Sequence, residues 1–128
     1  MASRGRGARN KGATFERALS KKLSSAFGID VKRTGGTERS KIVNKGDVNA
    51  SKYIKTILND FFWEAKNRES WSIIDWYKKA CDDAQGTVLK PVVVATKNQE
   101  KDYVFMSLDD FIKVLVELEG YRKEDVED

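Results

Sequence analysis

The sequence predicts an α/β domain with one mixed central β-sheet flanked by helices, in the order α-β-β-β-α-β-β-α. Three observations carry that expectation. Apolar residues recur at helical spacing in three stretches, near residues 15–27, 73–84 and 108–118. Between them lie runs of strand length rich in Val, Ile, Phe and Trp, "FFWEAK" and "PVVVAT" foremost. A chain of 128 residues is also long enough for one core and too short for two.

Residues 1–12, "MASRGRGARNKG", are rich in Gly and Arg and lack large apolar side chains, the pattern of a flexible basic arm. From Thr14 the pattern changes: Phe15, Leu19, Leu23, Ala26 and Phe27 mark the inward stripe of a helix that Gly28 closes. "IDVKR" (29–33) alternates as a strand, and "TGGTERSKIVNKG" follows as a polar loop with two adjacent glycines. "DVNA" begins a second strand at Asp47, and residues 51–60 fit either a turn or a short helical excursion. "FFWEAK" is the third strand. Ser72 can cap a helix running to about Ala84, with Ile73, Tyr77, Ala80, Cys81 and Ala84 on one face. "PVVVAT" (91–96) has the continuous apolar character of a buried central strand. It holds the chain's only proline at its first position, where a missing N–H is tolerated. "YVFM" follows after a turn. "SLDD" (107–110) resembles a capping box opening a last helix, with Leu108, Phe111, Ile112, Leu115 and Leu118 expected inward. The single domain is thus expected over residues 13–119, and 120–128 form a charged, frayed tail.

The net charge of +4 conceals an asymmetry. Residues 1–55 hold 14 Lys/Arg against 4 Asp/Glu, and residues 56–128 hold 10 against 16. A basic half suits a polyanion partner, although a solvated surface alone would also carry such charge. One cysteine, Cys81, excludes an internal disulfide and fits a small core residue in a reducing compartment. With no histidine in the chain, Cys-His nucleophiles, Ser-His-Asp triads and Cys/His zinc sites are excluded. No apolar run is long enough to span a membrane and the basic start lacks a signal-like apolar region, so an intracellular, cytoplasmic protein is expected.

The chemistry-bearing feature is the charge inside the third strand. Strand side chains alternate faces, so Glu64 and Lys66 share one face and Ala65 points the other way. Two opposite charges on a core strand are costly unless they pair or do chemistry. Asp47 starts the strand before, and strands consecutive in sequence usually lie side by side, so Asp47 and Glu64 can converge at one end of the sheet. Two carboxylates with the Ala65 backbone carbonyl make an all-oxygen site suited to Mg²⁺ or Mn²⁺. Lys66 would then stabilise charge on a water-derived nucleophile or on a phosphate. A structural ion pair is the plain alternative for Glu64 and Lys66 taken alone.

Asp47 followed by Glu64-x-Lys66 on successive strands resembles the signature of the PD-(D/E)XK nuclease superfamily. "KGATFERAL" (11–19) looks like the opening of the archaeal and viral Holliday-junction resolvases of that superfamily, with Lys11-Gly12 before a helix bearing Glu16-Arg17. "VKRTGGT" is similar to their Arg-x-x-Gly-Ser stretch, with Arg33, Gly36 and Thr37 in the matching places. Gly46 stands where the signature has proline, and the stretch between Asp47 and Glu64 is long for a cellular resolvase. "NRESWSIIDWYKKACDDAQG" looks more like small phage-encoded nucleases. The resemblance covers roughly residues 11–118.

It implies a restriction-endonuclease-like core and a Mg²⁺- or Mn²⁺-dependent endonuclease that resolves four-way DNA junctions, in a phage-infected host. The implied metal ligands are Glu16, Asp47, Glu64 and the Ala65 carbonyl, with Lys66 completing the catalytic set. Arg4, Arg6, Arg9, Lys11, Arg33, Thr37 and Arg39 are the candidate DNA contacts, Glu16 and the two loop arginines having solvated surface charge as their alternative. Lys78, Lys79 and Gln85 are weaker candidates. Trp71 and Trp76 could stack on bases, although tryptophans near a helix start more often belong to a core. A homodimer is expected, because symmetric cutting of a four-way junction needs two sites and one chain supplies one. The rivals are a flap, end or single-strand nuclease of the same superfamily and a non-catalytic nucleic-acid-binding module.

Overall fold

A computed structural model describes residues 2–33, 48–50, 56–97 and 100–127, with side chains described for 10–33, 56–97 and 100–124. The chain opens on α1, Ala2–Phe27. The helix therefore begins well before Thr14, and the residues expected to form an arm continue it backward. Its inward stripe is shorter than the periodicity suggested. Phe15, Leu19 and Ser20 are buried and Leu23 half-buried, while Phe27 is 44% exposed and Ala26 is exposed too. Gly28 ends the helix with φ +65, a left-handed conformation that suits a residue without Cβ, and its N–H donates to the Ser24 carbonyl at 2.8 Å.

Strands β1 (Val31–Arg33) and β2 (Val48–Ala50) pair antiparallel, with Arg33 opposite Val48. Ser24 stitches β1 to α1: the Val31 N–H donates to its Oγ at 3.0 Å. Of the stretch 51–60, residues 51–55 lie outside the described residues, and the remainder holds a 3-10 turn, Ile57–Asp60, before the third strand. Thr56 caps it, its Oγ1 accepting from the Leu58 N–H and its own N–H donating to Asn59 Oδ1 at 3.0 Å.

Strand β3 (Phe61–Asn67) lies parallel to β4 (Lys90–Thr96), Glu64 opposite Val93 and Lys66 opposite Ala95. Parallel neighbours need a crossover, and α2 (Ile73–Asp83) supplies it. Strand β5 (Tyr103–Phe105) adds antiparallel to the far side of β4. Among the described residues the strands thus form a two-stranded sheet and a three-stranded mixed sheet, β3-β4-β5, where the sequence suggested a single sheet; β2 nevertheless touches β3. Two helices cover the mixed sheet. Phe15 and Leu19 of α1 pack with Val31, Leu58, Ala65 and Val94, whereas Ala80 and Ala84 of α2 pack with Phe62. Strand β4 is the buried centre, with Val92 to Ala95 each at most 2% exposed. A fully buried valine contributes about 1.5 kcal/mol or more, so this strand anchors the fold.

Ser72 occupies the N-cap of α2 without a side-chain cap bond, its carbonyl accepting from the Trp76 N–H at 2.9 Å. Helix α3, Leu108–Glu127, starts where expected, with Ser107 Oγ accepting from the Asp110 N–H at 3.1 Å. It continues past Gly120, through most of the stretch expected to fray. The expected inward face is corrected: Leu108, Phe111, Ile112, Leu115 and Leu118 are 45–69% exposed. The helix meets the domain through Ser107, Asp110 and Val114, its half-buried positions, and leaves the apolar stripe beside them open.

Candidate active site

Alternation along β3 separates its residues into two faces. Trp63 and Ala65 turn toward α1. Phe62 turns toward α2, and Glu64 and Lys66 continue its face. Their side chains are only 6% and 16% exposed, and Lys66 Nζ lies 3.4 Å from Glu64 Oε1. The same ammonium sits 5.9 Å from the centroid of the Trp76 ring on α2, a cation–π distance. Trp76 thus flanks the lysine at the candidate site. Only the helical placement of "WSIIDWY" two residues after a polar turn could have pointed to that role.

Trp71, the other candidate for base stacking, is instead a packing residue. Its ring meets Tyr103 and Phe105 edge-on at 5.8 Å, and its indole N–H donates to the Arg68 carbonyl. Gln85, Lys78 and Lys79 are exposed.

Glu16 lies one residue past buried Phe15 on α1, and its carboxylate receives the Nε–H of Arg33 on β1. Arg33 is therefore engaged by protein: its side chain is 31% exposed and that of Glu16 only 17%. Arg33 sits opposite Val48, the first residue of β2. Asp47, Thr37 and Arg39 lie outside the described residues, as do the side chains of Arg4, Arg6 and Arg9, whose backbones belong to the first turns of α1. Lys11 is half-buried on the same helix.

One residue was not anticipated. Asn67 ends β3 directly after Lys66, and its Oδ1 is buried with no hydrogen-bond partner among the described residues. An orphaned buried acceptor is costly in a protein interior and marks a place where a donor is wanted.

Among the described residues no three His, Cys, Asp or Glu side chains gather into a metal-binding group. What the described part of β3 does provide is the nearly buried carboxylate of Glu64, a hard donor that fits Mg²⁺ or Mn²⁺ better than a softer metal; Asn67, by the alternation of the strand, falls on the opposite face. No described helix is long and apolar enough to cross a membrane.

A protein-family model described as "Phage putative PDDEXK endonuclease" matches residues 7–126, almost the whole chain. No curated protein and no solved structure matches it.

Proposed function

The chain belongs to that PDDEXK endonuclease family, and from this premise we propose that it is a metal-dependent DNA endonuclease acting on branched DNA, four-way junctions above all. The observation that carries the reading is the pair of charges on β3, held 3.4 Å apart in a nearly buried position facing α2. A merely structural pair gains little there over apolar side chains of similar size, whereas a nuclease needs both groups.

Glu64, Asp47, Glu16 and the Ala65 carbonyl would hold the ion, Mg²⁺ or Mn²⁺. When bound, such an ion supplies Lewis-acid polarisation of the scissile phosphate and makes water acidic enough to act near neutral pH. Lys66 places a positive charge beside Glu64, where it stabilises negative charge as it develops on the phosphate or on the attacking oxygen. Trp76 and Glu64 together restrict the ammonium to that position. Arg33 fixes the carboxylate of Glu16, so Glu16 is preorganised while its partner remains partly open to solvent.

The basic half of the chain supplies the DNA contacts: Arg4, Arg6, Arg9 and Lys11 along the start of α1, then Thr37 and Arg39 in the glycine loop, with Arg33 beside them. These contacts address the phosphate backbone and therefore read junction shape rather than base sequence. Two copies acting about a two-fold axis would make the paired cuts that a four-way junction requires. The place of action is the cytoplasm of a phage-infected cell.

The test is incubation of the protein with labelled four-way, flap, duplex and single-stranded DNAs in Mg²⁺, Mn²⁺ or EDTA. Metal-dependent cutting with the junction preferred supports the whole reading. Faster cutting of flaps or single strands replaces the junction by another substrate of the same chemistry. Binding without cutting in either metal overturns the enzyme.

A further inference from the structure

Helix α3 carries an apolar face that the domain does not cover. Six side chains, Leu108, Phe111, Ile112, Leu115, Val116 and Leu118, are each 45–69% exposed. A shallow groove of about 320 Å³ runs along this face between Ile112 and Arg122, lined also by Leu115, Val116, Leu118 and Glu119. Single exposed apolar residues need no explanation, but a continuous stripe along several helical turns does.

We propose that this face is a self-association surface, α3 of one copy lying antiparallel against α3 of a second copy about a two-fold axis near Val116.

Size is the first argument. Half-exposed side chains of this kind leave on the order of 500 Å² of apolar surface, the upper end of what monomers keep open. A standard interface covers ~800 Å² per partner, somewhat over half of it apolar, so the stripe supplies the apolar part of one.

Charge is the second. Asp109, Val116 and Lys123 recur at heptad spacing and so lie along one flank of the stripe, and Asp109 and Lys123 are exposed. In an antiparallel pair, like flanks face each other. An axis at Val116 then sets Asp109 of each copy against Lys123 of the other, and brings the two Val116 side chains together. The acidic first turn of α3 and the Arg122-Lys123 step near its other end are thus complementary between antiparallel copies, although Glu124 and Asp125 follow that step directly. An isologous contact of this kind closes on itself as a dimer and does not propagate.

This surface deepens the two-copy element of the functional reading and takes its purpose from it. Its test reads mass rather than cleavage, so either can fail alone. Sedimentation velocity of the full chain should show a species of twice the 14.5 kDa chain mass at micromolar concentration. Leu115→Asp should give the monomer, with circular dichroism and melting temperature close to the parent's, because the position is 45% exposed in the single chain.

Asp109→Lys and Lys123→Asp should each weaken the dimer roughly tenfold by setting like charges together. Mixing these two variants in equal amounts should restore a heterodimer of parental affinity, because both cross-helix pairs are then opposite in sign. Any harm done within one helix would survive the mixing. A monomeric parent, a dimer indifferent to Leu115→Asp, or single variants that mixing does not rescue would each overturn the proposal.

Discussion

Lys66 Nζ and Glu64 Oε1 lie 3.4 Å apart on one face of β3, with 16% and 6% of their side chains exposed. Each charge lowers the cost of burying the other, and the two therefore have to be considered together when either is changed. Lys66→Ala should lower DNA cleavage by roughly 100- to 1,000-fold, the usual loss when one stabilising group of a transition state is removed. DNA affinity should stay within about twofold, because the proposed phosphate contacts lie elsewhere. Urea unfolding should show a loss of about 1–3 kcal/mol from the stranded carboxylate. Wild-type cleavage by this variant in Mg²⁺ would remove Lys66 from the site.

Trp76 is expected to act on the chemistry through Lys66, as a positioning residue. Its ring centroid lies 5.9 Å from the ammonium, a contact worth about 0.5–1 kcal/mol at a partly exposed site. Trp76→Ala should slow cleavage severalfold, and Trp76→Phe should recover most of the rate by restoring an aromatic face. The readout that separates this role from general packing is the variant Lys66→Ala/Trp76→Ala. If Trp76 works through the lysine, the second change should have almost no effect on cleavage once the lysine is gone.

Tyr77 should give the protein an alkaline transition. Burial raises its phenol above the ordinary value of about 10; the hydrogen bond to Ser107 offsets part of that rise, and contact with Cys81 and Asp110 adds to it. The folded state thus holds this proton more tightly than the unfolded state. The stability it contributes is complete below pH 10 and is lost as pH rises through the folded value. Melting temperature measured from pH 8 to 11 should fall more steeply for the parent than for Tyr77→Phe. Parallel curves would mean that the phenol is not linked to folding.

The sequence exposed the core of the fold because its signals were local and unopposed. The continuous apolar run Val92 to Ala95 has the character of a buried central strand, and the alternation along β3 put Glu64 and Lys66 on one face by spacing alone. It misjudged α3 because periodicity shows that an apolar stripe exists but not what covers it. Leu115 and Leu118 have the spacing of core residues and yet face outward. It misjudged the start of α1 for a different reason. Arg and Gly content argues against a packed core, but a surface helix continued backward from a buried stretch needs no core of its own along its first turns. The partners of the charges were not legible at all. That Arg33 would clasp Glu16 and Trp76 would flank Lys66 depends on how α1, β1, α2 and β3 pack, which spacing does not encode.

The basic start of α1 should contribute to DNA affinity through salt-dependent contacts. Deleting residues 1–10 removes Arg4, Arg6 and Arg9 while leaving the buried Phe15 and Leu19 in place. Binding should weaken, and the slope of log affinity against log salt should shrink by roughly 0.9 for each duplex phosphate that the shortened chain no longer neutralises. Fluorescence anisotropy at several salt concentrations measures both. Equal affinity and slope before and after deletion would make this segment a bystander.

The choice between a junction resolvase and a general nuclease turns on whether two sites act on one DNA. Paired resolution requires nicks on opposing strands, each made by one copy of Asp47, Glu64 and Lys66. When wild-type protein is mixed with the Lys66→Ala variant, half-active dimers should nick a plasmid-borne cruciform once and release it before the second cut. One nick leaves an open circle and two leave a linear molecule, so the products separate on a gel. Open circles should rise to a maximum as the fraction of variant increases, following the statistical abundance of mixed dimers. An enzyme working as a monomer would show simple dilution of every product. Dilution here, together with faster cutting of flapped or linear DNA, would replace the resolvase by another nuclease of the same family and leave the roles of Glu64 and Lys66 as they stand.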